Sequence, residues 1–201
     1  MPRLSDKTRA ERRQHILTSA WKCFSRNGFH ATSMDDVIAG TGMSSSAVYR
    51  YFRSKDEIIA ATTEEGLNRV RGVFVAILEQ DPCPSPAEML ILLSGELHSR
   101  TTHPDYDMTR IALQAWAEAL RNPRLLAQAR AIYLDTLGLI DALARRWCEA
   151  GHLPAGADTR AAAATLLSLM KGLIVMHHIV EDVDAGTLAT GLSLLGGSLA
   201  R

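Results

Sequence analysis

The 201-residue sequence predicts an all-α protein in which an N-terminal three-helix domain of the helix-turn-helix type is followed by a larger helical domain. Three observations support this prediction. Apolar residues recur at helical spacing along most of the chain, and no stretch keeps the alternation of a strand, which indicates about nine helices in all. Breaks rich in Pro and Gly divide the chain into segments of helical length. The 47% of hydrophobic residues suffices for a proper core.

Charge is distributed unevenly along a chain that is neutral as a whole. Residues 1–55 contain ten Lys and Arg against four Asp and Glu, whereas residues 56–201 contain twelve against eighteen. The first part therefore carries a net charge of +6 and the second a net charge of −6. A basic N-terminal part followed by an acidic remainder is typical of a protein that binds DNA with one end.

The first helix is predicted to open with a capping box at Thr8 and Glu11, after a loose basic arm at residues 1–7. Its buried face is formed by apolar side chains at helical spacing, namely Ile16, Leu17, Ala20 and Phe24. Gly28, preceded by Asn27, is predicted to end the helix because glycine commonly follows the last helical residue.

Residues 33–55 then predict a helix, a tight turn, a second helix and the start of a third. Ser33 is a suitable N-cap with Asp36 three residues later, and residues 40–42 interrupt the first helix. Ser44 is expected to cap the second helix. A short Gly-containing turn between two helices is how many DNA-binding proteins present a recognition helix.

The second of these helices has a polar side and an apolar side. At about 100° per residue, one arc holds Ser45, Ser46, Tyr49 and Arg50, and the other holds Ala47, Val48, Tyr51 and Phe52. Taken alone, this pattern is more often an ordinary solvated surface helix. The preceding turn favours DNA binding, as does the next helix, which begins with a second capping pattern at Ser54 and carries Lys55 in its first turn, where a phosphate could bind.

These residues resemble the DNA-binding domain of TetR-type transcriptional regulators. The resemblance rests mainly on residues 42–44, 48–52 and 55–57, and it covers roughly residues 8–60. One departure is Ile38, where the family usually has a small Ala beside the neighbouring helix. We expect Ala39 and Gly40 to supply the room for that crossing instead.

The expected DNA-binding residues are hydroxyl, aromatic or basic side chains of this region: Thr32, Ser33, Ser44, Ser45, Ser46, Tyr49, Arg50 and Lys55. Tyr49, Arg50 and Lys55 are expected mainly at phosphates, because such contacts position a protein on the duplex. Ser45 and Ser46 are expected to face base edges. Thr32 and Ser33 are explained equally well as simple helix caps.

A long helix is predicted from Lys55 to about Glu79, so the chain divides into a DNA-binding domain at residues 1–54 and an effector-binding and dimerisation domain at residues 55–201. A Pro-rich break at residues 81–86 follows this helix. The remaining helical segments are predicted at about 86–100, 106–121, 124–150, 158–180 and 185–199.

Residues 114–123 are similar to a segment found in one branch of TetR-type C-terminal domains. The resemblance implies a cavity in the body for a small apolar or amphipathic effector. The residues expected to line it are Trp116, Leu120, Tyr133, Leu137, Met170 and Ile174. The more ordinary explanation for any one of these, and for Ile140, is that it belongs to the packed core.

The last two predicted helices, within residues 158–199, indicate a homodimer interface, which the family also implies. The first is apolar all round, with Lys171 as its single Lys, Arg, Asp or Glu between Arg160 and Glu181, so we expect it to be buried on nearly every side. The second repeats leucines with small residues between them, at Leu188, Leu192, Leu195 and Leu199.

Several other classes of protein are not expected. The sequence contains no nucleotide-binding, hydrolase or metalloprotease motif, which argues against an enzyme with a hidden site. No cofactor or metal is expected, since the adjacent His177 and His178 point about 100° apart on a helix. Three widely spaced cysteines without a C-x-x-C pair, and the lack of a signal peptide or a long apolar run, favour a cytoplasmic protein that does not enter a membrane.

The predicted function is therefore a dimeric TetR-type transcriptional regulator. The resemblance implies a repressor that leaves a pseudo-palindromic operator when a small molecule binds. The alternatives are a transcriptional activator and a helical adaptor protein without a small-molecule ligand.

Overall fold

The computed structural model describes residues 5–180 together with Gly186, Thr187, Thr190, Gly191 and Leu194. Within these residues every regular element is α-helical, which confirms the predicted all-α class. The described helices are α1 (Asp6–Ala31), α2 (Met34–Thr41), α3 (Ser45–Tyr49), α4 (Lys55–Leu78), α5 (Pro86–Thr101), α6 (Met108–Ala119), α7 (Pro123–Glu149) and α8 (Thr159–Ile179). Most of the predicted helix at 185–199, with its four leucines, lies outside the described residues.

α1 begins earlier than predicted. Its N-cap is Ser5, whose Oγ accepts a hydrogen bond from the backbone N–H of Thr8 at 3.2 Å. Thr8 therefore lies inside the helix, and the predicted capping box at Thr8 and Glu11 is wrong. Gly28 leaves helical geometry at φ 83° and ψ 166°, close to the predicted end, but the chain continues in a final short turn to Ala31.

α2 and α3 form the predicted helix-turn-helix. The Ser33 capping box is confirmed: Asp36 N–H donates to Ser33 Oγ at 3.1 Å, and Ser33 N–H donates to Asp36 Oδ2 at 2.8 Å. α2 runs through Gly40 to Thr41, and its C-cap is Gly42, whose φ of 65° is a left-handed conformation that favours glycine. This turn directs the chain into the short helix α3.

α1 and α2 approach each other closely at Gly40. A Cβ atom on this residue would lie 2.5 Å from Ser19 Oγ, which itself donates a hydrogen bond to the carbonyl of Val37 at 3.1 Å. Of the two residues expected to supply room at the crossing, Gly40 is thus confirmed, whereas Ala39 is exposed. Ile38, the departure from the family pattern, packs half-buried against the neighbouring core.

The chain forms two compact units, and each combines segments that are distant in sequence. The first comprises Met1–Gly66 and Thr101–Ala129. Its core joins side chains of α1 to α4 with side chains of α6 and the start of α7, among them Ile16, Leu17, Trp21, Phe24, Val37, Val48, Ile58, Ile111, Ala115 and Leu125. The division of function at residue 54, as predicted from the sequence, stays a prediction.

The second unit comprises Leu67–Arg100 and Arg130–Arg201. Its core is formed by buried side chains of α4, α5, α7 and α8: Phe74, Ile77, Met89, Leu93, Ile140, Leu143, Ala144, Trp147 and Ala163. The chain between α4 and α5 is tied to α7, since the Arg146 guanidinium donates to the carbonyl of Leu78 at 2.7 Å and Trp147 Nε1 donates to that of Pro84 at 2.7 Å.

α8 is only partly buried within one chain. Only Ala163 and Leu173 of this helix are buried. An uncharged face at helical spacing remains exposed, made of Ala161, Ala164, Thr165, Ser168, Gly172 and Met176. By length and composition alone α8 could cross a membrane, a test that core helices of soluble proteins also pass. The prediction that this helix is buried on nearly every side included a partner in a homodimer, and it stays a prediction.

Candidate nucleic-acid interface

α3 presents the polar arc that the sequence predicted. Ser45, Ser46 and Tyr49 are exposed, as is Arg50 directly after the helix, whereas Val48 is fully buried in the core of the first unit. The Tyr49 side chain is 45% exposed although it is aromatic. The sequence folds this way because the apolar residues of α3 and the turn after it pack on α1 and α2, which directs the hydroxyls, the phenol and the guanidinium outward.

Ser44 occupies the N-cap position of α3 but does not cap it with its side chain. Its Oγ lies 3.2 Å from Ser46 Oγ instead, so the two hydroxyls form one exposed polar pair. The predicted side-chain cap is therefore wrong, while the predicted exposure of these serines is confirmed.

Thr32 and Ser33 both use their hydroxyls within the protein. Thr32 is 1% exposed and donates from Oγ1 to the carbonyl of Gly28 at 2.7 Å. Ser33 donates to Asp36 Oδ2 from Oγ at 2.7 Å and from its backbone N–H at 2.8 Å, and these two hydrogen bonds hold the pKa of Asp36 below its ordinary value. This geometry favours the capping explanation for both residues.

Lys55 has an arrangement that the sequence did not predict. Its ammonium donates to the carbonyls of Phe29, His30 and Thr32 at 2.8, 3.3 and 2.8 Å. An ammonium has three donors, and the end of α1 offers an acceptor for each of them. A cation is favourable there because the carbonyls at a helix C-terminus carry partial negative charge. The sequence contained one indication of this role: a lysine in the first turn of α4 is unfavourable for its own helix, because that helix end carries partial positive charge.

The start of α4 keeps half of the predicted capping pattern. Glu57 N–H donates to Ser54 Oγ at 3.3 Å. The Glu57 carboxylate accepts from the N–H of Arg53, at 2.7 Å, rather than from that of Ser54. The acid thus fixes the turn that joins α3 to α4.

α6 is attached to α1 by polar contacts at the Gly28 kink. Gln114 accepts from the N–H of Phe29 at 2.7 Å and donates to the carbonyl of Phe24 at 3.1 Å. Further along α1, the Lys22 ammonium lies 2.8 Å from the carboxylate of Asp105 and lowers the pKa of that acid. Sequence reasoning missed these contacts because they join residues about 85 positions apart, and no local pattern reports such pairs.

An open groove of about 460 Å³ lies beside the helix-turn-helix. It is lined by Glu11, Arg12, His15, Met43, Ser44 and Ala47. His15 Nε2 lies 2.8 Å from the carbonyl oxygen of Thr41, and the Arg13 guanidinium lies over the Phe52 ring at 5.3 Å. α1 therefore brings basic side chains next to the exposed arc of α3.

The six residues predicted to line an effector cavity are divided between the two units. Trp116 and Leu120 belong to the first unit, and the other four, Tyr133, Leu137, Met170 and Ile174, belong to the second. Leu120 is 81% exposed, so its assignment to the core is wrong; Ile140 is fully buried, as expected. Leu137 and Met170 pack half-buried against the core of the second unit, and Trp116 is half-buried.

Comparison with known proteins adds two family matches. Residues 16–62 match the model of bacterial regulatory proteins of the tetR family. Residues 86–195 match a model described as the C-terminal part of BetI-type transcriptional repressors. The chain is 24% identical over 190 residues to the transcriptional regulator UidR of Escherichia coli strain K12, a match covering 93% of this chain and 92% of UidR.

Solved structures agree with these matches. Salmonella enterica GusR is 25% identical, with a TM-score of 0.69 over 94% of this chain and 90% of GusR. A regulator from Saccharomonospora viridis, solved in complex with choline, shares the fold at 23% identity, with a TM-score of 0.73 over 92% of this chain and 94% of its own. Together with the exposed arc of α3 on its helix-turn-helix support, the matches show that the chain belongs to the TetR family of DNA-binding transcriptional regulators and is not an enzyme.

Proposed function

We propose that the chain acts in the cytoplasm as a homodimeric repressor that leaves a pseudo-palindromic operator when a small molecule binds. The observation that carries the DNA-binding part is the exposed arc of hydroxyls, phenol and guanidinium on and after α3. A solvated helix has no need to expose Tyr49, whereas a helix in the major groove uses such a residue against the DNA backbone.

The side chains of the arc divide by chemistry. Ser45 and Ser46 face base edges, because short hydroxyls at the start of a recognition helix can approach either kind of base. Tyr49 and Arg50 contact phosphates, and Ser44, which pairs with Ser46, belongs to the same DNA-facing surface. Thr32, Ser33 and Lys55 support this surface through the caps described above, and the sequence-based expectation that they also touch phosphates remains open to test.

The exposed face of α8 supports a two-fold dimer. Its small and apolar residues would meet water in a single chain, and in an isologous interface the same face covers itself. Small side chains such as Ser168 and Gly172 allow a close approach of two helices. The predicted interface extends to residue 199, and most of residues 181–199 lie outside the described residues. In such a dimer two heads address half-sites about 34 Å apart, one turn of DNA, or somewhat more.

Release by an effector follows from the geometry of such a dimer. Two heads fit one operator only at a fixed separation, so a ligand that favours another shape of the body weakens DNA binding. By linkage, DNA weakens ligand binding by the same factor, and a coupling of about 2 kcal/mol corresponds to roughly thirty-fold. The relative from Saccharomonospora viridis was solved with choline, which supports a small organic effector here.

The proposal is tested by titrating the purified protein with a palindromic fragment from the region upstream of its own coding sequence. We expect a complex of one dimer per fragment, whose affinity falls steeply with salt because Lys and Arg displace counterions from the phosphates. A protein that gives no shift with any upstream fragment at low salt would instead favour the helical adaptor. Reporter expression that falls when the regulator is deleted would favour an activator.

A further inference from the structure

We propose that the groove between α1 and the start of α3 holds a phosphate of the DNA backbone, and that protonation of His15 strengthens this contact. The inference rests on the proposed function and deepens it, because it adds a second contact with the operator and makes operator binding depend on pH. All residues that it uses belong to the first unit of the chain.

The groove continues the exposed arc of α3. It is open and has a volume of about 460 Å³, and Ser44, at the N-cap position of α3, belongs both to its wall and to the exposed arc. Because the first residues of a recognition helix lie against the DNA, a groove that begins at Ser44 lies beside the backbone that flanks the bases read by α3. The opposite wall is formed by α1, through Glu11, Arg12 and His15.

His15 is held in one orientation by the end of α2. Its Nε2 lies 2.8 Å from the carbonyl oxygen of Thr41, the last residue of that helix. A carbonyl oxygen can only accept, so Nε2 carries the hydrogen and Nδ1 is the nitrogen that can take up a further proton. Protonation therefore leaves the hydrogen bond to Thr41 intact and adds a positive charge and a second donor to the groove.

The charge of the groove depends on this histidine. At neutral pH the lining has one carboxylate, Glu11, and one guanidinium, Arg12, whose charges cancel. The Thr41 contact from α2 and the three lining residues of the turn and of α3 are uncharged. With a neutral imidazole the lining thus has no net charge, and with an imidazolium it has a charge of +1, which attracts a phosphate and is in turn favoured by it.

The donors of the groove suit a phosphate. The Arg12 guanidinium and a protonated His15 form charge-assisted hydrogen bonds, which are the strong ones to such an anion. The Ser44 hydroxyl lies 3.2 Å from Ser46 Oγ, and either of the two can be the donor, so one hydroxyl hydrogen of the pair stays available. The neighbouring Arg13 is engaged elsewhere, with its guanidinium over the Phe52 ring at 5.3 Å.

Proton-linked DNA binding follows from this arrangement. A histidine side chain ordinarily changes its charge between about pH 5 and 8. Since the phosphate favours the imidazolium, the complex with DNA binds more protons than the free protein in this range, and by linkage the affinity for DNA rises as the pH falls. The regulator would hold its operator more firmly under acid conditions.

The test measures the affinity of the full-length protein for its operator fragment and for a random duplex, at about pH 6 and about pH 8. We expect both duplexes to bind roughly three- to fivefold more tightly at the lower pH, as is typical of one exposed ion pair. The random duplex responds as well, because a phosphate contact carries no sequence information. The slope of log affinity against log salt should be larger by about one at the lower pH.

Three variants assign the effect to His15. His15→Gln keeps an N–H donor for the Thr41 carbonyl but cannot be protonated, so it should bind like wild type at about pH 8 and lose the pH effect. His30→Gln, an exposed histidine at the other end of α1, is the matched control and should keep the effect. Glu11→Gln should bind more tightly at both pH values and also keep it.

A pH effect that is absent from wild type, or that survives in His15→Gln, would overturn the proposal. Loss of the effect in Glu11→Gln would do so too, because the imidazolium would then pair with the Glu11 carboxylate four residues earlier and not with DNA. Calorimetry of wild type in buffers of different ionisation enthalpy needs no variant. It should record proton uptake on DNA binding, and its absence would equally refute the contact.

The outcomes also separate this inference from the proposed function. If the operator is bound specifically and without a pH effect, only the role of His15 is wrong. If the random duplex shows the effect that depends on His15 and no upstream fragment is bound specifically, the phosphate contact stands and the regulatory function is wrong.

Discussion

Gln114 of α6 accepts a hydrogen bond from the backbone N–H of Phe29, one residue after the Gly28 kink in α1, at 2.7 Å. The side-chain amide of Gln114 thereby replaces the helical partner that the kink removes. Gln114 belongs to the part of the chain that the second family model matches, and it completes the backbone hydrogen bonding of α1, which belongs to the part that the first model matches.

Gln114→Leu should destabilise the protein by about 1–2 kcal/mol, because the half-buried N–H of Phe29 loses its acceptor. Urea unfolding followed by tryptophan fluorescence measures the difference. Gln128→Leu is the matched control, since it removes an exposed hydrogen bond to Glu64 of 3.1 Å, and should cost less than about 0.5 kcal/mol. Equal effects of the two substitutions would show that the contact to Phe29 does not matter.

Gly40→Ala should destabilise the first unit by roughly 1–3 kcal/mol, since the new methyl group would lie 2.5 Å from Ser19 Oγ, and this buried hydroxyl would have to turn away from the carbonyl of Val37 to which it donates. Gly72→Ala is the contrasting change, because no atom lies within 4 Å of its Cβ position on the exposed side of α4. That substitution should add about 0.5–1 kcal/mol through helix propensity. Thermal unfolding of the two variants should therefore shift in opposite directions.

Lys55→Met should weaken operator binding mainly by destabilising the head, because all three donors of the ammonium hold carbonyls at the end of α1. Arg50→Ala should instead leave stability nearly unchanged and reduce the slope of log affinity against log salt by about one. Affinity measured at several salt concentrations, beside urea unfolding, separates the two roles. A loss of slope at Lys55 with unchanged stability would restore the phosphate contact predicted from the sequence.

Lys171→Met should make the protein more stable than wild type at neutral pH. The folded state lowers the pKa of Lys171 from its ordinary 10.5 to about 8, so the folded protein binds the proton less well than the unfolded chain does. The resulting penalty is complete below about pH 8 and fades as the pH rises towards about 10.5. The gain of Lys171→Met should therefore shrink across that window in paired unfolding curves. A gain that is independent of pH would assign the effect to packing.

Ser168→Glu should convert the protein to monomers or aggregates, since it places a charge on the exposed uncharged face of α8 where a two-fold partner is proposed. Ala87→Glu, on the exposed side of α5, is the control. Sedimentation velocity at several concentrations measures the outcome. A tight dimer of Ser168→Glu that still binds DNA would place the interface elsewhere; Leu195→Glu tests the part beyond the described residues in the same way.

The sequence predicted those features that local patterns specify. Helical periodicity placed the helices at or within a few residues of their observed ends, and the alternation of Val48 with exposed serines and Tyr49 oriented the recognition helix correctly. The errors concern choices between competing local partners. Ser5 rather than Thr8 caps α1, because both hydroxyls are compatible with the pattern and only the packed helix decides between them.

Features that depend on distant residues could not be predicted. The Lys55 ammonium binds carbonyls more than twenty positions away, and α6 contributes to the core of the first unit. Both features arise from tertiary packing. The partner of α8 is a different matter, since the sequence predicted both burial and a dimer interface for this helix. An apolar helix predicts burial but not which chain supplies the partner, so the same pattern fits a core helix and an interface.

The interleaving of Met1–Gly66 with Thr101–Ala129 in one core bears on the construction of hybrid regulators. In a hybrid joined near residue 62, where the first family match ends, helices α1 to α3 of one protein would have to pack against α6 of another, whose side chains are adapted to different neighbours. A transplant that carries α6 with residues 1–66, or that re-engineers the residues in contact with Lys22, Ser25 and Phe29, should retain a native melting temperature; Ser25 Oγ accepts from the N–H of Asp107 at 2.8 Å. The unit that can be exchanged between such proteins is thus discontinuous in sequence.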